Sequence, residues 1–591
     1  MLGKEKQIQF YKEELEELVL EVKANFESPA INLFKSGKLY IAQFKGFDEK
    51  RGNVFFDIKN LEEDHTPRVD QQMNCFKLQL SKMLPKQWGN SSYRELLNPL
   101  NSDLDMSQIK LVSYIKSERE GWIKMILNGV DYKFVKTLKL NDVLGFGPTI
   151  PPFEYLINLK QFSNDLNKVN PWDKILNFDY HYSLNREPKL IDESIDIAGY
   201  IIKEVNRFGL IVFQGPPGTG KTYQIADVIS RLAKINKSVL VTALTNKATI
   251  ETCEKPFLKD LLNQQKVSKT SLTSNEILRY PNLKYASEIS PAKGEVQLAT
   301  YYQFSKYWQK SYKSQVSDNL FDYVIVEESS QAFLTTIAAA LKVGRKVIVV
   351  GDPMQIEPIV KFKNYKKISI NINLLVNRLQ TMCNFEGIPF FRKIESRRLT
   401  DRATRYTNLF YEGTIVSKSN INDLSSDINM LNFLGTYIHP KGGPTLILND
   451  FENSKNVICI VPFLVKAIND IILNNKGTIA VLTPFVETAI FLQKTLKTKT
   501  QSNNYLIDTI DRVQGLDVDY CFFIIPDKNY SFSFNLNRFN VATSRSKKAT
   551  FILASKNFYK KAELLNQSGK YLTNLLNDFC FIEDNGIMIK K

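Results

Sequence analysis

Cysteine and histidine are scarce, with six cysteines and three histidines in 591 residues. Cys75, Cys253, Cys383, Cys459, Cys521 and Cys580 lie far apart and form no CxxC pair. That spacing argues against a disulfide framework, a zinc ribbon or an iron–sulfur cluster, and it fits a cytoplasmic protein. No apolar run approaches the roughly 18 residues that cross a bilayer, so no membrane partner is expected. The first 22 residues are dominated by Lys and Glu and lack the apolar centre and cleavage site of a signal peptide. Basic residues come in twos and threes, as in Lys366-Lys367 and Lys547-Lys548, so a dense nuclear-import cluster is missing too. Internal repeats and low-complexity tracts are also absent.

What remains is a chain of ordinary globular composition, 43% hydrophobic and 24% charged. Its length suits about two to four domains. Lys and Arg number 78 against 62 Asp and Glu, a net charge of +16. The excess suits a polyanionic partner, nucleic acid or an anionic surface, and says nothing of fold.

Short β-branched apolar runs recur through the last two thirds, at 210–213, 239–242, 323–326, 346–350, 457–461, 478–482, 520–525 and 550–553. Runs of this length, bounded by Gly, Pro or polar turns, read as strands of a parallel sheet buried on both faces. Amphipathic stretches such as 223–234 and 488–496 supply the crossover helices. The basic, polar stretch 361–370 separates two groups of strands and is the expected hinge between two α/β domains. The first part differs. Residues 39–57 and 109–138 alternate apolar and polar side chains around turn signals, the pattern of antiparallel hairpins. Pro148-Thr-Ile-Pro-Pro152 closes that part, and helical patterns at 4–26 and 153–169 flank it. The expectation is a small β-barrel carried on helices, followed by two α/β domains.

Two motifs carry chemistry. Gly215-Pro216-Pro217-Gly218-Thr219-Gly220-Lys221-Thr222 follows the run 210–213 and opens a helix. This is the P-loop pattern GxxxxGK[ST] in its strand–turn–helix setting, which lets backbone N–H groups wrap a phosphate chain. Lys221 is placed to neutralise the outer phosphates, and the Thr222 hydroxyl to ligate Mg²⁺. The run 321–326 ends in Glu327-Glu328. A carboxylate at a strand end beside a P-loop holds Mg²⁺ and a second takes a proton from the attacking water, so Glu327 is assigned to the metal and Glu328 to the base.

Further segments resemble a known family. Val350-Gly-Asp-Pro-Met-Gln-Ile-Glu-Pro358 is similar to motif III of superfamily 1 helicases, GDxxQLPP, and Glu327-Glu-Ser-Ser-Gln331 to motif II, DExxQ. Thr242-Ala-Leu-Thr-Asn-Lys-Ala248 and Leu298-Ala-Thr300 resemble motifs Ia and Ic. Ser396-Arg397 with Phe410-Tyr-Glu-Gly413 resembles the YR…FYEG signature of motif IV, and Leu482-Thr-Pro-Phe485 the ITPY element. Residues 508–517 and 540–547 are similar to motifs V and VI. The FYEG and NVA-x-[ST]R-x-K forms point to superfamily 1B, the branch with the nonsense-mediated-decay RNA helicase and related DNA helicases.

The resemblance implies two RecA-like P-loop NTPase motor domains with an N-terminal β-barrel: residues 1–170 for helical stalk and barrel, 171–365 for the first motor domain, 366–591 for the second. It implies that Gln355 senses the γ-phosphate and that Arg397 and Arg545 reach across from the second domain as arginine fingers. Thr245, Asn246, Thr300 and Thr483 are implied to hold the nucleic-acid backbone, and the barrel to pack over that channel. Three positions depart from the family. Glu327 stands for Asp, Asp517 for Glu, and Ile195 or Asp196 stands near the place of the adenine-reading Gln. The expected activity is that of an ATP- and Mg²⁺-dependent 5′→3′ helicase or translocase on single-stranded nucleic acid, DNA placed ahead of RNA. The rivals are an ATP-gated clamp, or a motor subunit whose partner nuclease lies on a separate chain.

Overall fold

The computed structural model describes every residue except 1, 50–51, 60–66, 70, 98–99, 101–103, 152, 165–169, 185, 273, 314–319, 363–377, 450–456, 475, 502–504, 514, 528, 559–565, 585–586 and 591. The chain divides into two compact units, each made of three segments. The first holds 1–17, 152–422 and 536–544, and the second 18–151, 423–535 and 545–591. Among the described residues no helix is long and apolar enough to cross a membrane.

The expected barrel exists. Strands β1 (Tyr40–Asp48), β2 (Asn53–Lys59), β3 (Gln72–Lys77), β4 (Met106–Lys116), β5 (Trp122–Asn128) and β6 (Val143–Gly147) pair antiparallel and close in the order β1-β2-β5-β4-β3-β6. Alternate residues fill it, among them Phe56, Tyr114, Met125, Leu127 and Phe146, all fully buried. Closure removes the sheet edges that a small antiparallel domain would otherwise expose. The alternating stretch 109–138 is not strand throughout, since Tyr132–Lys136 is a short helix capped by Asp131.

The first unit is built on a nine-stranded sheet. Its strands are β7 (Lys189–Ile191), β8 (Leu210–Gln214), β9 (Val239–Ala243), β10 (Val267–Lys269), β11 (Lys284–Tyr285), β12 (Val296–Thr300), β13 (Phe321–Val326), β14 (Gly344–Gly351) and β15 (Phe390–Lys393). They run parallel in the order β11-β10-β12-β9-β13-β14-β8-β15-β7. The central runs are apolar at every position because both faces are covered. Leu210, Val212, Val324, Val326, Val347 and Val349 face one cluster with helix Leu334–Val343. Ile211, Phe213, Val241, Ile325, Ile348 and Val350 face the other, under helices Ile197–Phe208 and Lys221–Lys234. A two-stranded ladder, β16 (Glu395–Ser396) with β17 (Val416–Ser417), follows β15.

The second unit adds a seven-stranded sheet of β18 (Gly443–Asn449), β19 (Ile479–Thr483), β20 (Leu506–Thr509), β21 (Val518–Ile525), β22 (Ser546–Ser555), β23 (Cys580–Asp584) and β24 (Ile587–Lys590), in the order β20-β19-β21-β22-β18-β23-β24. Only the β23–β24 pair is antiparallel. Barrel and sheet are joined inside this unit. Arg68 Nη2 lies 3.0 Å from both Asp508 Oδ1 and Thr509 Oγ1, the Val69 N–H donates to Gln493 Oε1 at 3.1 Å, and Arg512 donates to the Val69 carbonyl at 3.2 Å.

Three expectations need correction. The run 457–461 is not a strand: Ile458–Ile460 is a 3₁₀ turn leading into helix Val461–Leu473. Pro462 in the first turn of that helix suits a helix start, and Phe463, Leu464, Ala467, Ile468 and Ile471 are buried at helical spacing. The sheet position is taken by β18 instead. The boundary at 365/366 also fails, because β15 pairs with the P-loop strand β8 and so extends the first sheet. Helix Leu536–Thr543 belongs to the first unit and the barrel to the second. The hinge expected at 361–370 lies, from residue 363 on, outside the described residues, as does the end of the helix expected at 153–169.

Candidate functional site

The C-terminal ends of parallel strands gather loops at one edge of a sheet, where open α/β folds place their ligands. In the first unit that edge carries the P-loop after β8, Glu327 and Glu328 after β13, Asp352 after β14, Thr245 and Asn246 after β9, and Thr300 at the end of β12. The P-loop turns on glycines at positive φ, +75° at Gly218 and +74° at Gly220. A Cβ at Gly218 would sit 2.5 Å from Arg398 Cβ and Ser396 Oγ, so only glycine fits there. Lys221 Nζ donates to the Gly215 carbonyl at 2.5 Å, and Thr219 is buried with its hydroxyl on the Pro216 carbonyl.

Thr222 Oγ1 lies 3.1 Å from Glu327 Oε1, so a hydroxyl and a carboxylate converge beside the phosphate cradle. Glu327 is almost completely buried; burial pushes its carboxyl above the usual range, and Lys221 and the Glu328 N–H pull it back. A buried carboxylate with so little compensating charge suits a cation. Mg²⁺ fits this donor set, since it is held by one or two protein oxygens together with phosphates and water. No group of three or more His, Cys, Asp or Glu suited to a metal occurs among the described residues. Glu328 is half-buried at φ +49°, a left-handed conformation that costs a non-glycine residue about 1–2 kcal/mol.

Asp352 organises the other side. It is 1% exposed and accepts from Gln214 Nε2 at 3.0 Å, Gln355 Nε2 at 3.2 Å and the Tyr411 hydroxyl at 2.6 Å. Asn540 then donates to Tyr411 Oη at 2.7 Å and to the Met354 carbonyl at 2.8 Å, and Asn537 donates to the Gln355 carbonyl at 2.7 Å. Arg392 joins Gln214 to Glu412 at 2.9 and 2.7 Å. The segments resembling motifs III, IV and VI thus meet in one buried polar network. No role was assigned to Asp352 from sequence; the signal was its place after a buried strand, the same position that Glu327 occupies after β13.

A family profile described as an AAA domain matches residues 200–361, and a second of the same description matches 402–557, together just over half of the chain. The chain is 24% identical over 441 residues to the regulator of nonsense transcripts 1 homolog of Neurospora crassa, covering 65% of this chain and 39% of the relative. It is 24% identical over 421 residues to the DNA replication ATP-dependent helicase/nuclease dna2 of Schizosaccharomyces pombe, covering 64% and 28%. A third relative is replicase polyprotein 1ab of Alphamesonivirus 1, 24% identical over 381 residues, 60% of this chain and 7% of that one. The chain belongs to the superfamily 1 helicases. It spans less than two fifths of the length of each of these relatives. An arterivirus nonstructural protein 10 helicase structure aligns at a TM-score of 0.36 with 12% identity, covering 89% of this chain and 78% of that one.

Within this helicase fold the remaining expected residues fall as follows. Gln355 is buried against Asp352. Arg397 does not come from the unit opposite the P-loop. It follows β15 in the same unit, its N–H donates to the Gly218 carbonyl at 2.9 Å, and its guanidinium holds Glu193 at 2.6 and 3.2 Å. Lys393 holds the same carboxylate at 2.8 Å, and the Arg397 hydrogen bond leads the influences that draw the Glu193 pKa down to about 2. Arg545 lies in the second unit, buried, with Nη1 3.4 Å from the Leu516 carbonyl. Thr245 caps helix Asn246–Glu251 through the Ala248 N–H, and Thr300 accepts from the Gln303 N–H. Because Thr300 sits opposite Ala243 in the ladder, Thr245, Asn246 and Thr300 share one stretch of sheet edge. Lys269, 1% exposed and without an assigned role, donates to Asn246 Oδ1 at 3.0 Å and pairs with Glu276 at 3.2 Å. Thr483 ends β19 in the second unit, and its buried hydroxyl has no partner among the described residues.

Proposed function

We propose that this chain is a Mg²⁺- and ATP-dependent motor that moves 5′→3′ on single-stranded nucleic acid in the cytoplasm and unwinds duplexes, with DNA ahead of RNA. The observation that carries the reading is the shared sheet edge of the first unit, where the phosphate cradle, the Thr222–Glu327 pair and the Thr245–Asn246–Thr300 stretch lie at the C-terminal ends of parallel strands of one sheet. Lys221 neutralises the β- and γ-phosphates, Thr222 and Glu327 hold Mg²⁺, and Glu328 orients and deprotonates the attacking water. Gln355, fixed by Asp352, reports the γ-phosphate. Arg397, which follows β15 in the P-loop's own unit, stabilises the charge on the transferred group. Thr245, Asn246, Thr300 and Thr483 grip the strand through its phosphates.

A second reading draws on Glu327. Its side chain is one methylene longer than the family's Asp, which favours slow turnover and an ATP-gated clamp working with a nuclease on another chain. Strand displacement by the purified protein separates the two. The motor unwinds 5′-tailed duplexes in preference to 3′-tailed ones, while the clamp binds without unwinding. Lys221→Ala should abolish ATP binding and hydrolysis together. Glu328→Gln should keep MgATP binding and lose about 10²–10⁴-fold in turnover. Glu328→Gln that hydrolyses ATP like the unaltered protein would refute the assignment of the base.

A further inference from the structure

A cleft of about 480 Å³ opens beside the P-loop in the first unit, between Gly218–Gly220 and the residues that begin helix Ile197–Phe208. A triphosphate held by the cradle leaves its sugar and base to be housed nearby, and this cleft adjoins the cradle directly. Its walls offer apolar surface. Ile195 is 41% exposed and Tyr223 is 46% exposed with one edge set against Phe257. The charged groups along the walls are already committed. Glu193 is held by Arg397 and Lys393, and Asp196 caps the Ile197–Phe208 helix through the Gly199 N–H and pairs with Arg231. Ser396, standing where the motif IV signature has its tyrosine, is buried with its hydroxyl on the Pro217 carbonyl at 2.8 Å. Thr219 turns its hydroxyl to the Pro216 carbonyl, and Gln224 adds an amide that presents a donor or an acceptor according to how it turns.

From this lining we infer that the site takes nucleoside triphosphates with little regard to the base, gripping each by stacking on Tyr223 while Gln224 adapts to whichever edge is offered. The inference rests on the P-loop reading above. A site that hydrogen-bonds a defined edge rejects the wrong partner by about 10⁴-fold, whereas an apolar pocket discriminates by only about 10² or less. Among the described side chains that line this cleft, none is fixed so as to demand the adenine pattern of donor and acceptor. Stacking strength then sets the order, purines ahead of pyrimidines.

The test is hydrolysis of MgATP, MgGTP, MgCTP and MgUTP by the full chain, with inhibition by inorganic tripolyphosphate as a probe that carries no base. The expected kcat/KM values fall within about tenfold of one another. Tyr223→Ala should raise KM for all four by roughly 5- to 100-fold, the range of one lost stacking contact, with the tripolyphosphate inhibition constant unchanged. Tyr223→Phe should keep the native KM values, which separates loss of the ring from damage to the fold. Ile195→Gln should introduce a preference for ATP. A native preference for ATP above 100-fold, or unchanged KM values in Tyr223→Ala, would overturn the base-blind cleft while leaving the P-loop reading intact. Failure of tripolyphosphate and all four nucleotides to bind would overturn both.

Discussion

Replacing Arg68 by Ala removes one half of a buried ion pair between the barrel and the second sheet. Arg68 Nη2 and Asp508 Oδ1 are 3.0 Å apart, and their side chains are 13% and 4% exposed. Without Arg68, the Asp508 carboxylate keeps the Thr509 N–H at 2.7 Å as a hydrogen-bond donor among the described residues, with Arg512 as a nearby positive charge. Stranding a buried charge costs about 3–5 kcal/mol, and Arg512 puts the expected loss near about 3. The effect should depend on pH. Burial raises the Asp508 pKa even with Arg68 present, so its contribution to stability is full below the unfolded value and is lost as pH rises through the folded one. Removing Arg68 raises that folded value further. The deficit of Arg68→Ala should therefore be largest near neutral pH and should shrink toward about pH 5. Converting both residues, Arg68→Met with Asp508→Leu, should recover most of the loss, because an apolar pair of similar volume carries no desolvation penalty. Urea denaturation at the two pH values measures the deficit, and hydrogen exchange in β3, β4 and β20 shows where it falls. A loss below about 1 kcal/mol, or one equal at both pH values, would refute the argument that desolvation dominates this pair.

Tyr411→Phe deletes a hydroxyl that donates to Asp352 at 2.6 Å and accepts from Asn540 at 2.7 Å. It should cost about 1.5–3 kcal/mol, as for a lost hydrogen bond to a charged group, and should lower kcat more than it raises KM, because Asp352, which holds Gln355, loses one of its donors; melting curves and steady-state ATPase kinetics check both. Gly218→Ala meets Arg398 and Ser396 at 2.5 Å besides its positive φ, whereas Gly52→Ala carries positive φ with nothing within 4 Å. The first should abolish nucleotide binding, measured calorimetrically. The second should cost only about 1 kcal/mol of stability.

The P-loop, the carboxylates after β13 and the barrel were legible because their signals are local. A glycine pattern sits between strand and helix, a buried run ends in acids, and apolar residues alternate around turns. What was not legible depends on partners distant in sequence. Residues 390–393 carry a strand pattern, but nothing in them says that they pair with 212–214 and so keep Arg397 beside the P-loop. Residues 457–461 have strand composition, yet Pro462 and the helical spacing that follows decide the outcome. Asn540 reads as part of a second-domain motif and Asn537 shortly precedes it, and only their hydrogen bonds to residues 353–355 and Tyr411 assign them to the first unit.

The interleaved course of the chain has a consequence for biosynthesis. Five passages lead from one unit to the other, and the first unit receives its piece 536–544 only after residues 423–535 of the second have been made. A nascent chain that has emerged as far as residue 535 already holds the whole phosphate cradle. Its Tyr411 hydroxyl and the carbonyls of Pro353, Met354 and Gln355 still await the two asparagine amides that cap them. Vectorial synthesis therefore leaves this region incomplete until residues 536–544 have emerged. A truncated product that stops short of Leu536 would carry every P-loop residue and lack the asparagines that brace the loop around Gln355.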